Sequence, residues 1–339
     1  MGVVTNSGVG AAIAYYGVCS STLLIINKVS LYIIPAPVLL LSLQLWFAVG
    51  LVYLLRGLRV VDTQPLRRAT AVKFSPVVVS FLCTLYANAK VLQYSNVETF
   101  ITFRSSTPLI LCVCDFLFLG RHLPSLRSVA CLVALLVSSL GYVLVDHAFD
   151  IRAYSWLAMW FVSFTAYEVF VKGICDTVAL DNWTRVIYTN AMAGALLAPA
   201  IPMSGKEIIA VHDVTWNASN ILVLIASCFI GVGVSHSAYV LRSACSATFS
   251  AIVGILCKVF TVLINMLVWD KHASIAELAC LLLGLIAGAL YEQAPMREDS
   301  NRRAGQDHAC VGRAEGSEGA IASILPSGGR KCSISGTTV

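Results

Sequence analysis

Lys258 is the residue whose position most demands a chemical explanation. It lies thirteen residues into an apolar run that begins at 245, too deep for its ammonium to reach either end easily. An ionisable group near a bilayer centre costs about 2.5–3.5 kcal/mol on insertion scales, and such groups mark substrate paths by default. Gly254, Ala251 and Ala247 share its face at helical spacing and leave space beside the ammonium. Thr261 and Asn265 continue that face with a hydroxyl and an amide. A cation in a roomy, polar-lined groove suits an anionic substrate. The structural alternative is a lysine paired with a carboxylate for folding, and no acid is evident at that depth.

Arg104 stands about eight residues into another apolar run, where it could hold a phosphate or bridge neighbouring helices. Asp115, eleven residues on, shares its face but lies about 16 Å away along a helix. Lys28 and Lys90 end their runs and read as snorkelling, and Glu168 with Lys172 reads as a structural i,i+4 pair. No loop holds an acid–base pair and no nucleophile has an activating context, so no catalytic residue is assigned and an enzyme is not expected. Asn182-Trp-Thr184 and Asn217-Ala-Ser219 match glycosylation acceptors, but the first falls in a loop assigned to the cytosol and the second abuts a helix start.

These groups need apolar elements to carry them. Of 339 residues, 58% are hydrophobic and 12% charged, against roughly a quarter charged in ordinary soluble domains. A net charge of +5 without a basic, aromatic-interleaved block argues against nucleic acid and leaves the lipid bilayer as the surrounding partner. The twelve cysteines are scattered through apolar runs without a CxxC pair, so neither a metal site nor a cofactor is expected. Residues 1–10 lack the basic segment of a signal peptide, and Asn6 stands where a myristoylation pattern needs Ser or Thr.

A bilayer core of about 30 Å takes roughly 20 helical residues. Runs of that length recur near 8–28, 36–55, 74–93, 96–119, 126–145, 152–172, 184–204, 219–242, 245–269 and 273–292, which predicts an all-α membrane protein of ten spans. The loops that would share a side with both termini carry ten Lys and Arg, the opposite loops three, which places both termini in the cytosol. Residues 293–339 lose the apolar pattern and read as a disordered cytosolic tail.

A shift of 149 residues brings Thr99-Phe100 onto Thr248-Phe249, Ala130-Cys131-Leu132 onto Ala279-Cys280-Leu281 and Tyr142 onto Tyr291. With one residue of slip, Arg121-His122 falls on Lys271-His272. The chain then divides into five-helix repeats over 1–150 and 151–292. Five being odd, the repeats would be inverted, the usual build of secondary transporters working by alternating access.

Asn96-Val-Glu-Thr-Phe-Ile-Thr-Phe-Arg104-Ser-Ser-Thr-Pro108, Ala153-Tyr-Ser-Trp156, Ser246-Ala-Thr248 and Thr261-Val-Leu-Ile-Asn-Met-Leu-Val-Trp-Asp-Lys-His272 resemble the nucleotide-sugar transporters of the drug/metabolite transporter superfamily, from about residue 12 to 292. The likeness is greatest to GDP-mannose and GDP-fucose carriers, especially the plant-type GDP-fucose carriers. It implies ten helices in a multi-pass Golgi membrane protein that exchanges a nucleotide sugar for a nucleoside monophosphate. The family's phosphate- and sugar-binding Gly-Ala-Leu-Asn-Lys motif corresponds to Gly254-Ile-Leu-Cys-Lys258, with Cys257 at the asparagine position. Its guanine-reading Phe/Leu-Tyr-Asn-Asn motif corresponds to Ile187-Tyr-Thr-Asn190, with Thr189 for the first asparagine. The implied substrate-binding set is Lys258, Gly254, Tyr188, Thr189, Asn190, Ser235 and Arg104, and a second copy of the chain is a candidate partner. The alternatives are a carrier of another anion, such as a UDP-sugar or sugar phosphate, a polytopic membrane enzyme, and a sensor without transport.

Overall fold

A computed structural model of the chain describes residues 6–94, 97–145, 151–200, 205–212, 214, 216–268, 282–284 and 286–295. Within these helices the side chains at 6–7, 24, 28, 89, 92–103, 139–145, 151–154, 206–208, 210 and 258–268 fall outside the description. The described chain is all-helical: α1 Asn6–Ile33, α2 Pro37–Gly57, α3 Arg68–Tyr94, α4 Val97–Phe118, α5 Leu126–Val145, α6 Ile151–Thr177, α7 Asn182–Leu197, a short α8 Gly205–His212, α9 Ala218–Ala244 and α10 Ala247–Val268. These helices belong to one compact unit that ends at Ala294.

Nine of the expected apolar runs coincide with α1–α7, α9 and α10. The tenth lies partly outside the described residues, with 282–284 and 286–289 helical. Among the described residues, five stretches are long and apolar enough to cross a membrane, Gly8–Ile33, Pro37–Gly57, Arg68–Asn88, Ser155–Thr177 and Ala218–Ala244. In hydrocarbon every backbone N–H and C=O must be satisfied internally, which an uninterrupted helix does. The outer faces agree: Val18, Leu54, Val72, Leu117, Val162 and Leu222 are all well exposed, an apolar surface that suits lipid rather than water.

Helix ends follow local chemistry. α2 opens on Pro37, whose missing N–H costs nothing in the first turn. Asp181 caps α7 by accepting from Thr184 N at 2.8 Å, and Asn217 caps α9 by accepting from Asn220 N at 2.8 Å. α7 stops at Leu197, two residues before Pro199, which offers no N–H to continue the ladder, and 201–204 of the expected run lie outside the described residues.

The most extensive packing joins α3 to α6 and α1 to α9. α2 lies against α7, and α4 lies against both α5 and α10. Lesser contacts join α3 to α7, α2 to α9, α4 to α6 and α1 to α10. At the α4–α10 crossing, Leu111 packs on Ala247 and Ala251, small residues that let the two backbones approach. A second core, from α2, α3, α6, α7 and α9, gathers Val52, Phe74, Val171, Ile187, Tyr188 and Tyr239.

Candidate substrate site

α4 and α10 bring Arg104 and Gly254 together. A Cβ built on Gly254 would lie 3.5 Å from Arg104 Nη2 and 3.8 Å from the Tyr16 hydroxyl of α1. The guanidinium therefore lies beside α10 at Gly254, at ordinary van der Waals distance from where a methyl would stand. From the other side, α6 supplies an aromatic bed. Trp160 and Phe164 stack with ring centroids 4.9 Å apart, and the Arg104 guanidinium sits 4.8 Å from the Phe164 centroid and 5.9 Å from that of Trp160. Aromatic faces stabilise a desolvated cation by about 2 kcal/mol without consuming its hydrogen-bond donors. Arg104 Nε is buried and has no hydrogen-bond partner among the described residues.

One turn beyond Phe164, Glu168 accepts two bonds from Arg242 of α9, Nε at 3.0 Å and Nη2 at 2.6 Å. Arg242 also lies 5.2 Å from the Tyr167 ring centroid. The expected Glu168–Lys172 pair is absent. Lys172 instead reaches Asp176 at 2.8 Å and the Arg242 carbonyl at 3.0 Å. A guanidinium fork matches a carboxylate in two parallel bonds, which an ammonium cannot do, so Arg242 takes Glu168. Tyr16, Glu168 and Arg242 are all within electrostatic reach of Arg104. Of these, Arg104 and Arg242 carry two positive charges against the one negative charge of Glu168. A buried unpaired charge is unfavourable unless a counter-charge is brought in, so this part of the bundle is suited to an anion.

Lys258 lies on α10 one turn past Gly254, and its side chain falls outside the described residues. Ser235 is half-buried on α9. Its neighbour His236 stacks on Trp183 at 3.9 Å and meets the Tyr15 hydroxyl at 3.4 Å. Tyr188, Thr189 and Asn190 are buried in α7, and Tyr188 belongs to the second core. The Tyr188 hydroxyl accepts from Arg67 N at 2.6 Å, and its ring stacks on Phe74 at 5.0 Å. The Thr189 hydroxyl bonds that of Tyr239, and Asn190 Nδ2 donates to the Val186 carbonyl at 2.8 Å. Tyr167, whose ring lies near Arg242, packs against the same core as Tyr239.

Sequence reasoning missed Tyr16, Trp160, Phe164, Arg242 and Tyr239. Trp160, Phe164, Glu168 and Lys172 recur every four residues, a stripe that was there to be seen. Arg242 stands near a span end and counts among loop charges. Among the described residues no cluster of His, Cys, Asp and Glu could hold a metal ion, and the described cysteines are unbridged.

No protein-family model matches the chain. It is 34% identical over 285 residues to GDP-fucose transporter 1 of Arabidopsis thaliana, covering 82% of this chain and 83% of that one. It is 31% identical over 290 residues to GDP-mannose transporter GONST3 of the same plant, covering 84% and 78%. A GDP-mannose transporter of Kluyveromyces lactis is 24% identical over 314 residues, covering 88% and 94%. A crystal structure 14% identical in sequence superposes with a TM-score of 0.63, over 85% of this chain and 98% of its own, and shares the fold. With that identity to the two Arabidopsis proteins across more than four-fifths of its length, the chain belongs to the GDP-sugar transporter family of nucleotide-sugar transporters.

Proposed function

We propose that the protein is a Golgi antiporter that carries a GDP-sugar, GDP-fucose or GDP-mannose, into the lumen in exchange for GMP by alternating access. The observation that carries this reading is the Arg104 guanidinium, held on Phe164 and Trp160 and facing Gly254 with a buried Nε left unbonded. Such a group is poised to take the diphosphate that a nucleotide sugar presents, and Lys258 one turn along α10 would supply the second cation. Purified protein in liposomes should take up GDP-fucose or GDP-mannose, with unlabelled GDP-sugars competing and UDP-galactose or a triose phosphate failing to compete. Dominant competition by UDP-galactose would reassign the carrier to UDP-sugars, and by triose phosphate to sugar phosphates.

Ten spans in two inverted repeats, 1–150 and 151–292, followed by a cytosolic tail at 293–339, would place this site between the halves. The helix contacts support the reading. A shift by five spans exchanges α1 with α6, α2 with α7, α3 with α9 and α4 with α10. Under it the α3–α6 contact becomes α1–α9, α3–α7 becomes α2–α9, α4–α6 becomes α1–α10, and α2–α7 and α4–α10 return to themselves. In sealed Golgi vesicles, added protease should remove an epitope placed after Gly305 and spare one inserted near Lys206. The reverse pattern would overturn the orientation.

Base selection is proposed at Tyr188, Thr189 and Asn190. Thr189→Asn would restore an amide where the family carries one, and an amide can both donate and accept toward a base edge. This substitution is expected to raise the ratio of GMP to UMP exchange, and Asn190→Ala to lower it, in counterflow driven by each unlabelled monophosphate. A ratio unmoved by both would remove this segment from base reading.

A further inference from the structure

We infer that Asp115 is a positioning residue for the transport cycle: its carboxylate latches the ends of α4 and α10 together, and release of that contact opens the substrate site to the cytosol. The inference rests on the alternating-access reading above. Asp115 stands three residues before the end of α4 and is 4% exposed. Its Oδ2 accepts from Thr248 N at 3.0 Å and from the Thr248 hydroxyl. Thr248 is the second residue of α10, where backbone N–H groups have no partner within the helix.

The origin of this cap is what sets it apart. α7 and α9 are capped by the residue just before them, so their caps travel with the helix. α10 has such a local bond as well, Phe249 N to Ser246 Oγ at 3.0 Å. The bond from Asp115 instead spans 133 positions and joins the two halves of the chain. It must break whenever α4 and α10 part at this end. Parting would expose the carboxylate and the Thr248 N–H to water, which replaces the lost bonds, so the open arrangement is accessible. The closed one is incomplete, because Asp115 Oδ1 is buried without a hydrogen-bond partner among the described residues.

The same two helices carry both contacts. Arg104 is eleven residues from Asp115, about 16 Å along α4, and Gly254 is six residues from Thr248, about 9 Å along α10. An anion that draws Arg104 and the α10 backbone together at one level therefore bears on the ends through two continuous helices. In the latched state the approach is filled: Cys245 and Thr248 are 0% exposed, and Ser246 and Ala247 nearly so. Cys245 carries a free thiol and can report the opening.

The test is alkylation of Cys245 by a membrane-impermeant maleimide, applied without substrate to the cytosolic face of the reconstituted full chain and read by peptide mass spectrometry. Asp115→Ala is expected to raise the alkylation rate at least tenfold. Asp115→Asn should give an intermediate rise, because an amide oxygen can still accept from Thr248. Asp115→Ala should also lower both the apparent KM for nucleotide sugar on the cytosolic side and kcat, since a larger cytosol-open population binds more readily and closes less well. If the alanine variant does not accumulate, Asp115→Asn and Thr248→Val decide, the latter removing the hydroxyl and keeping the backbone bond. Unchanged Cys245 alkylation in the variants that accumulate overturns the latch. Alkylation needs no transport, so a wild type that fails to exchange GMP would overturn the antiport reading and leave the latch standing.

Discussion

Arg104→Ala is expected to lower nucleotide-sugar exchange by about tenfold to a hundredfold. A hydrogen bond to a charged partner contributes about 1.5–3 kcal/mol, and about 1.4 kcal/mol is a factor of ten. Arg104→Lys should recover little of this. An ammonium keeps the charge but loses the planar fork, and it stacks poorly on Phe164 and Trp160. Initial rates in proteoliposomes check the result, with protein abundance measured beside them. A lysine variant at full rate would show that charge alone matters at this position.

Lys258→Ala is expected to bring exchange to background while leaving abundance and targeting unchanged. Removing a charge from a membrane span lifts the cost of burying it, so insertion should not suffer. The contrast with Arg104 is informative. If both cations hold the diphosphate, the double variant should be no worse than the poorer single one, because a half-held phosphate is already out of place. A normally made Lys258→Ala protein transporting at the wild-type rate would end the phosphate role.

The legibility of this molecule divides along the range of the interactions. Hydropathy is local, so the apolar runs at 36–55 and 126–145 fall within a residue or two of α2 and α5. Arg104 and Gly254 were each conspicuous alone, one as a charge in an apolar run and the other as space beside Lys258. That they face each other could not be read, because the contact joins residues 150 positions apart. Glu168 shows the same limit from the other side. Helical spacing offers Lys172 as its partner, yet the i,i+4 rule sees only one helix, and α9 delivers Arg242 with better geometry. Tyr188, Thr189 and Asn190 were flagged through resemblance alone, and each has a protein partner in the bundle. Asp115 was seen only as a residue on the face of Arg104, and its bonds to Thr248 needed the fold.

Trans-stimulated uptake of labelled GDP-fucose and GDP-mannose by the purified protein tests the central claim most directly. Liposomes would be loaded with GMP, with UMP or with buffer alone. The account predicts rapid uptake of at least one GDP-sugar with GMP inside, slow uptake with UMP or buffer, and loss of the GMP-driven component in Arg104→Ala and Lys258→Ala. Uptake independent of the internal nucleotide, or equal in wild type and both variants, would contradict it.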